Sequence, residues 1–182
     1  MLAKSPTPFR GRNGRLGSFA RASLEPTPMA SKWNVDFLDL VDALNAERVE
    51  YMVVGAFALA AHGFPRATGD IDFFVRPSEE NARRVVRALT AFGAPLASAG
   101  VKEADFATPG SVYQIGVVPR RIDVITEISG LSFDDAAKGV VEREVDGRVV
   151  VFIGRHELVR NKRASARPKD LVDADALDPS KR

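Results

Sequence analysis

Apolar positions recur with two different periods along the chain, and together they predict both helices and strands. Four apolar residues with the i, i+3, i+4, i+7 spacing of an amphipathic helix predict a helix over about residues 35–47: Phe37, Leu40, Val41 and Leu44. A second helix is expected to begin after Ser78, a good N-cap residue, and to end at Gly93. Further helices are predicted over 56–62, after Ser132, over 156–165 and, with Pro168 at its first position, over 168–177.

Short apolar runs bounded by turn residues predict buried strands. The dipeptide Asp146-Gly147 favours a tight hairpin between two of them, and Pro119-Arg120 provides another short connection. The runs are YMVVG (51–55), DIDFFV (70–75), VYQIGVV (112–118), RIDVIT, VVEREV and RVVVFI. The pattern therefore predicts one domain that mixes helices with strands.

Composition restricts the class of protein. A chain of 182 residues with 45% apolar residues is long enough for one ordinary domain with its own core. No run approaches the roughly 18 to 20 apolar residues that span a bilayer, so no membrane association is expected. The sequence has no cysteine, which excludes disulfides and thiolate metal sites and suits a cytoplasmic location.

The charge of the chain is unevenly distributed. Residues 1–34 contain six basic side chains and one acidic side chain, so the rest of the chain has a net charge of −3 although the whole chain has +2. Residues 1–32 are rich in Pro, Gly, Ser and Arg without periodicity and are expected to form a disordered basic tail before a domain spanning 33–178. Alternatively, translation starts at Met29.

Two carboxylates stand inside an apolar strand, and they are the first candidate for chemistry. Asp70 and Asp72 are two residues apart, so in a strand they project from one face, roughly 6 to 7 Å apart. At an effective dielectric of 20 they repel by roughly 2 to 3 kcal/mol. A solvated strand end would tolerate them; otherwise a divalent cation such as Mg²⁺ is the economical counter-charge. Asp123, in a second apolar strand, is a third acid that could converge on the same face.

A glycine between a predicted strand and a predicted helix is the second candidate. Gly55 would let the backbone approach a ligand closely, and the first N–H groups of the following helix would favour phosphate. The simpler alternative is an ordinary strand-to-helix turn. The acidic strand follows only fifteen residues later, which favours a joint site.

The segment VVGAFALAAHGFPRATGDIDFFV resembles the signature of minimal nucleotidyltransferases of the DNA polymerase β superfamily. The spacing HG-x-x-R-x-T-x-D-I-D, together with GLSFDDAA and NKRASARPKDLVDADAL, is similar to the AbiE-type nucleotidyltransferase toxins (the AbiEii/AbiGii group). The resemblance covers Trp33 to Leu177. It implies an α+β nucleotidyltransferase fold, with a small mixed sheet packed by helices on one side and helices at the C-terminus.

The resemblance also assigns roles to residues. Asp70, Asp72 and Asp123 would bind metal, with two Mg²⁺ ions expected, and Asp123 would act as, or orient, the base for the acceptor hydroxyl. The residues expected to bind the nucleotide are Gly55, Ala56, Arg66, Thr68, Lys162 and Lys169.

Several residues near these positions could instead have simple structural roles. Arg66 could be an ion-pair partner of an acid, and Lys169, Asp170 and Asp173 are most simply a solvated helix face. The chain also departs from the family at one position. The family usually has a second small residue after the glycine, often a serine that contacts phosphate, whereas this chain has Ala56.

The expected function is Mg²⁺-dependent transfer of a nucleoside monophosphate from an NTP to a hydroxyl. By the resemblance, tRNA or a protein in a toxin–antitoxin system is the expected acceptor, with a cognate antitoxin as a partner. An antibiotic acceptor is the second choice: an exposed groove rich in Lys and Arg would favour tRNA, and an enclosed apolar pocket would favour a small molecule. The rivals are an inactive module that binds nucleotide or a partner, and a nucleic-acid binder that uses the basic tail.

Overall fold

The computed structural model describes residues 33–117, 119–178 and 180. The predictions for residues 1–32, including a start at Met29, lie outside the described residues. The helices and strands of the described part are α1 (Val35–Ala46), β1 (Tyr51–Val54), α2 (Gly55–Ala61), β2 (Ile71–Val75), α3 (Glu79–Phe92), α4 (Glu103–Ala107), β3 (Val112–Ile115), β4 (Ile122–Ile125), α5 (Phe133–Ala137), β5 (Val141–Val145), β6 (Arg148–Phe152), α6 (Arg155–Ser165) and α7 (Pro168–Leu177).

The strands form one mixed sheet in the order β3-β4-β2-β1-β6-β5. β1 and β2, β3 and β4, and β5 and β6 pair antiparallel, while β2 with β4 and β1 with β6 pair parallel. This arrangement of a mixed sheet with helices confirms the predicted α+β class. It also places β2, the strand that contains Asp72 and follows Asp70, directly beside β4, the strand with Asp123.

Helix α1 covers the sheet with the residues that the sequence pattern identified. Its four periodic apolar residues are all buried, and Asn34 caps its first turn by accepting a hydrogen bond from the Asp36 N–H. Trp33, just before the helix, packs edge-on against Phe57 of α2 and Phe152 of β6. These contacts tie α1 to the element that begins at Gly55.

Strand β2 is buried on both faces, since Phe73 and Phe74 project in opposite directions and are 0% and 1% exposed. Phe73 contacts Tyr51 on one face. Phe74 projects from the other face and packs against Phe133 of the short helix α5, with ring centres 5.1 Å apart. Asp72 therefore stands near the start of a strand that is covered on both faces, and Asp70 immediately precedes that strand.

Several boundaries differ from the sequence prediction by a residue or more, and glycine explains two of them. Gly55 begins α2 instead of ending β1, because its φ of +67° is incompatible with a strand. Gly116, with a φ of +80°, ends β3 before residue 117. Asp70 precedes β2, and α4 was not predicted because five residues are too few to show a helical period. No described helix has the length and apolar character needed to cross a bilayer.

A buried amide joins the start of α3 to the sheet. Asn81 is 1% exposed; its side chain accepts from the Glu50 N–H at 2.8 Å and donates to the carbonyls of Glu50 and Arg76, both at 3.0 Å. Ser78 caps the same helix by accepting from the Asn81 N–H. One side chain thus satisfies backbone groups at the entry to β1 and the exit from β2.

Asn81→Ala is expected to lower the free energy of unfolding by about 2 to 3 kcal/mol, because it leaves backbone polar groups without partners in a covered position. Urea denaturation measures the loss. The matched control is Asn161→Ala, which removes a single bond to the Ser129 carbonyl at an exposed position and should cost less than about 1 kcal/mol. Equal losses in the two variants would contradict the clamping role of Asn81.

Candidate functional site

The three predicted acids come together where β2 and β4 run side by side. Asp72 and Asp123 are partner residues in the parallel ladder, so their side chains project from the same face of adjacent strands. Asp70 lies just before β2. The Thr68 hydroxyl holds its backbone, donating to the Asp70 carbonyl at 3.2 Å and accepting from the Asp70 N–H at 3.3 Å. Thr68 thus fixes the loop before β2, in addition to the nucleotide contact predicted for it.

Arg121 is a member of this cluster that the sequence reasoning missed. Its guanidinium donates a hydrogen bond to each carboxylate oxygen of Asp123, from Nε to Oδ1 at 2.8 Å and from Nη2 to Oδ2 at 3.1 Å. It also reaches Asp70 Oδ2 at 3.0 Å. The signal was present in RIDVIT, because residues two apart in a strand share a face and Arg121 stands two residues before Asp123.

Asp72 is the acid with the least compensation. Within the described part of the chain it forms no ion pair, although Asp70 and Asp123 both pair with Arg121. Burial raises the pKa of Asp72 from 3.8 to about 6, and the negative charges of Asp123 and then Asp70 contribute to that rise. Lys162 and Arg121 act in the opposite direction but do not cancel the effect. The site therefore carries negative charge that a cation would stabilise.

Gly55 is required by close approach as well as by conformation. A Cβ built on Gly55 would lie 2.1 Å from Asp72 Oδ2, so no side chain fits between the start of α2 and the carboxylate. Among the described residues, no side chain caps the N-terminus of α2, where Val54 is the N-cap residue. Its first N–H groups, including that of Ala56, are therefore left for a ligand or water beside Asp72.

The two C-terminal helices supply a buried ion-pair network. Lys162 of α6 is 7% exposed and donates to Asp170 at 2.6 Å and to Asp173 at 3.1 Å. Asp170 is completely buried and also accepts from Ser165 and Arg167. Burial alone would raise the pKa of Asp170, but the hydrogen bonds from these donors lower it to about 2. The prediction that Asp170 belongs to a solvated helix face was wrong, because α7 turns this residue toward α6.

Arg66 forms the ion pair that was considered for it. It donates through Nη1 to both carboxylate oxygens of Asp173, at 3.0 and 2.9 Å. Since Asp173 also accepts from Lys162, the loop before β2 is fastened to the C-terminal helices. Lys169 lines the same region, and its ammonium has no ion-pair partner among the described residues.

Two adjoining cavities open at these residues and share Gly55, Asp72, Lys162 and Arg167. The smaller cavity, of about 280 Å³, is the charged one: its walls include all three acids together with Arg66, Thr68 and Lys169. The larger cavity, of about 470 Å³, has walls that are mainly apolar or uncharged, including Val54, Ser111, Val112, Ile125, Ser129 and Asn161. Glu127 is the additional acid that faces it.

The three carboxylates have the oxygen ligands that Mg²⁺ prefers, but they are not arranged around a common point. Hard carboxylate oxygens are the ligands that Mg²⁺ prefers, and Asp72 carries an uncompensated charge. In residues 33–117, 119–178 and 180, however, no three acidic or histidine side chains are grouped closely enough to hold a metal ion. Arg121 lies between Asp70 and Asp123 and supplies the positive charge there.

The raised pKa of Asp72 predicts a pH-dependent stability in metal-free buffer with EDTA. The folded state penalises the charged carboxylate, so the penalty is absent below the ordinary pKa of 3.8 and develops as pH rises through about 6. Asp72→Asn should therefore be more stable than wild type by about 3 kcal/mol at pH 7.5 and by about 1 kcal/mol at pH 4.5. Urea denaturation at both pH values measures the difference.

The control for this prediction is Asp42→Asn, which alters an exposed carboxylate of α1 that is paired with Arg148 at 2.8 Å. Its stability difference from wild type should not grow between pH 4.5 and 7.5. A gap between Asp72→Asn and wild type that stays constant with pH would contradict the assignment of a raised pKa to Asp72.

Comparison with protein-family models gives no match, and comparison with curated proteins gives none either. Among solved structures, the chain is similar to TM1012, a candidate nucleotidyltransferase from Thermotoga maritima determined at 1.87 Å. The TM-score is 0.49 and the sequence identity 16%, and the match covers 78% of this chain and 87% of that chain. A likeness of this size says nothing about which residues act, so the site is judged by its own side chains.

Proposed function

We propose that the protein is a nucleotidyltransferase, which moves a nucleoside monophosphate from an NTP to an acceptor hydroxyl with release of pyrophosphate. The observation that carries the proposal is the convergence of three carboxylates beside an uncapped helix start, where Asp72 has no ion-pair partner among the described residues. A site for phosphate next to a site for a divalent cation is what phosphoryl transfer requires.

The residues divide the work as follows. Asp70, Asp72 and Asp123 would hold Mg²⁺, which when bound would neutralise charge on the phosphates and the leaving pyrophosphate. Asp123 would accept or orient the proton of the acceptor hydroxyl. The N–H groups at the start of α2 would bind phosphate oxygens, with Gly55 permitting their approach.

The two cavities suggest how the nucleotide lies. The smaller, charged cavity suits the triphosphate, because Lys169 offers an unpaired ammonium there and Arg66 and Arg167 have exposed side chains at its wall. The larger cavity suits the nucleoside, whose flat base would meet Val54, Val112 and Ile125. The nucleotide would then bend at Asp72, which lines both cavities.

The acceptor we favour is a hydroxyl of a nucleic acid such as tRNA, or of a protein, in a toxin–antitoxin setting with a cognate antitoxin. The support is the set of exposed basic side chains around the charged cavity, since Arg167 is 64% and Arg66 43% exposed. A small-molecule acceptor such as an antibiotic would instead need to share the larger cavity with the nucleoside.

A second candidate is a module that binds nucleotide or a partner without catalysis. Two observations favour it. No three potential metal ligands are grouped together among the described residues. Ala56 also stands where the family usually has a serine hydroxyl that contacts phosphate. The two candidates differ in what happens when a carboxylate is neutralised. A binding module would keep its nucleotide, whereas a transferase would lose its reaction.

Calorimetric titration of ATP, GTP, CTP and UTP in Mg²⁺ is the test of the proposal, followed by transfer of label from the α-phosphate of the bound nucleotide to tRNA or protein. Wild type should bind at least one NTP only when Mg²⁺ is present. Asp72→Asn should lose transfer by about a hundredfold or more and weaken Mg²⁺-dependent binding, because a ligand of the cation is removed.

Asp42→Asn is the matched control, since it neutralises an exposed acid of α1 and should retain wild-type binding and transfer. Binding that survives Asp72→Asn without any transfer by wild type would favour the non-catalytic module. No NTP bound by folded wild type, with or without tRNA present, would contradict the transferase and the nucleotide-binding module, and would leave only a module that binds a partner.

A further inference from the structure

Arg121 pairs with two of the three carboxylates at which a divalent cation is proposed to bind. We infer that Arg121 is a built-in counter-ion, which holds Asp70 and Asp123 together without metal and must withdraw before these carboxylates bind a divalent cation. The inference rests on the metal site of the proposed function and adds to it a residue that controls the loading of that site.

The contacts of the guanidinium are the first support. It engages both oxygens of Asp123, at 2.8 and 3.1 Å, and one oxygen of Asp70, at 3.0 Å. An oxygen that accepts a short charge-assisted hydrogen bond has less electron density to give to a cation. A divalent ion bound to the same carboxylates would also stand within a few ångströms of the guanidinium and repel it. Metal and Arg121 are therefore competitors for the same oxygens.

The position of Arg121 allows its side chain to withdraw while its backbone stays in the sheet. Its backbone is anchored, because the Arg121 carbonyl accepts from the Ile71 N–H at 3.0 Å and so joins β4 to β2. Its side chain, 29% exposed, makes hydrogen bonds and ion pairs only with Asp70 and Asp123 in the described part of the chain. A change of side-chain rotamer would thus release both carboxylates without disturbing the sheet.

The other cation near the acids is not equivalent. Lys162 is buried and is held by Asp170 and Asp173 at 2.6 and 3.1 Å, so its ammonium is committed to the C-terminal helices. Arg121 is therefore the cation that pairs directly with Asp70 and Asp123 and can also reach solvent. Its withdrawal would leave these two carboxylates and Asp72 as a set of three free acids.

The experiment measures metal binding without nucleotide, by Mn²⁺ titration followed by electron paramagnetic resonance of the free ion. Arg121→Gln should bind Mn²⁺ about tenfold more tightly than wild type, because the competing charge and its hydrogen bonds are gone. Arg121→Lys keeps the charge but cannot form the fork, so its affinity should lie between the two.

Arg120→Gln is the matched control. It removes the same charge one residue earlier, from an exposed side chain with no ion pair in the part of the chain that the structure describes. Its Mn²⁺ affinity should stay within about twofold of wild type, since an exposed charge that contacts none of the carboxylates is screened by solvent and salt. Thermal unfolding with and without Mg²⁺ gives a second readout: Mg²⁺ should raise the Tm of Arg121→Gln more than that of wild type.

The inference is overturned if folded Arg121→Gln binds Mn²⁺ no more tightly than wild type, or if Arg120→Gln tightens binding equally. If Arg121→Gln does not fold, Arg121→Lys decides in the same way. Tighter binding by Arg121→Gln together with no nucleotidyl transfer by wild type would uphold this inference and defeat the proposed function. Nucleotidyl transfer by wild type, with the same Mn²⁺ affinity in Arg121→Gln and wild type, would uphold the proposed function and defeat this inference. If neither wild type nor any variant binds Mn²⁺, the inference and the proposed metal site both fail.

Discussion

The pairing of β2 with β4 holds the carboxylates of Asp72 and Asp123 next to each other. Several neighbouring residues reduce the electrostatic cost of that arrangement. Asp72 and Asp123 are partners in the parallel ladder of β2 and β4, so neither can move away while the sheet remains intact. Arg121 neutralises one side of the cluster, and the buried Lys162 lowers the cost on the other side. Gly55 leaves the space that the Asp72 carboxylate needs.

These positive groups do not fully compensate the charge of Asp72, and comparison with Asp170 shows what this means. Asp170 is also an aspartate and is fully buried, but hydrogen bonds from three donors lower its pKa to about 2. Its negative charge therefore has a structural role. Asp72, in strand β2, has its pKa raised to about 6 because burial and like charges dominate. A sheet that tolerates such a residue sacrifices stability at one position, a pattern common at functional sites. The contrast separates a carboxylate that holds helices together from one that has no ion-pair partner among the described residues.

The sequence predicted most of the fold and the acids of the candidate site, but not their counter-charges. Local rules identified Ser78 and Gly93 as the ends of α3 and Asp146-Gly147 as a hairpin turn, since capping and positive φ are properties of single residues. The pairing of Asp72 with Asp123 depends on which strands become neighbours, and periodicity does not contain that information. For the same reason the contact of Arg121 with Asp70 and the burial of Asp170 required the three-dimensional structure.

The order of these charges along the chain has a consequence for synthesis. The acids of β2 and β4 leave the ribosome before α6 and α7, which Lys162 and Arg167 help to join. A nascent chain that has emerged only through β6 would thus hold the acid cluster with Arg121 as its one directly paired cation among the described residues, and without the helices that close both cavities. Translation of α6 and α7 completes the electrostatics around the acids as well as the packing, so a chain stalled before them would be less stable and would lack the walls that these helices give to both cavities.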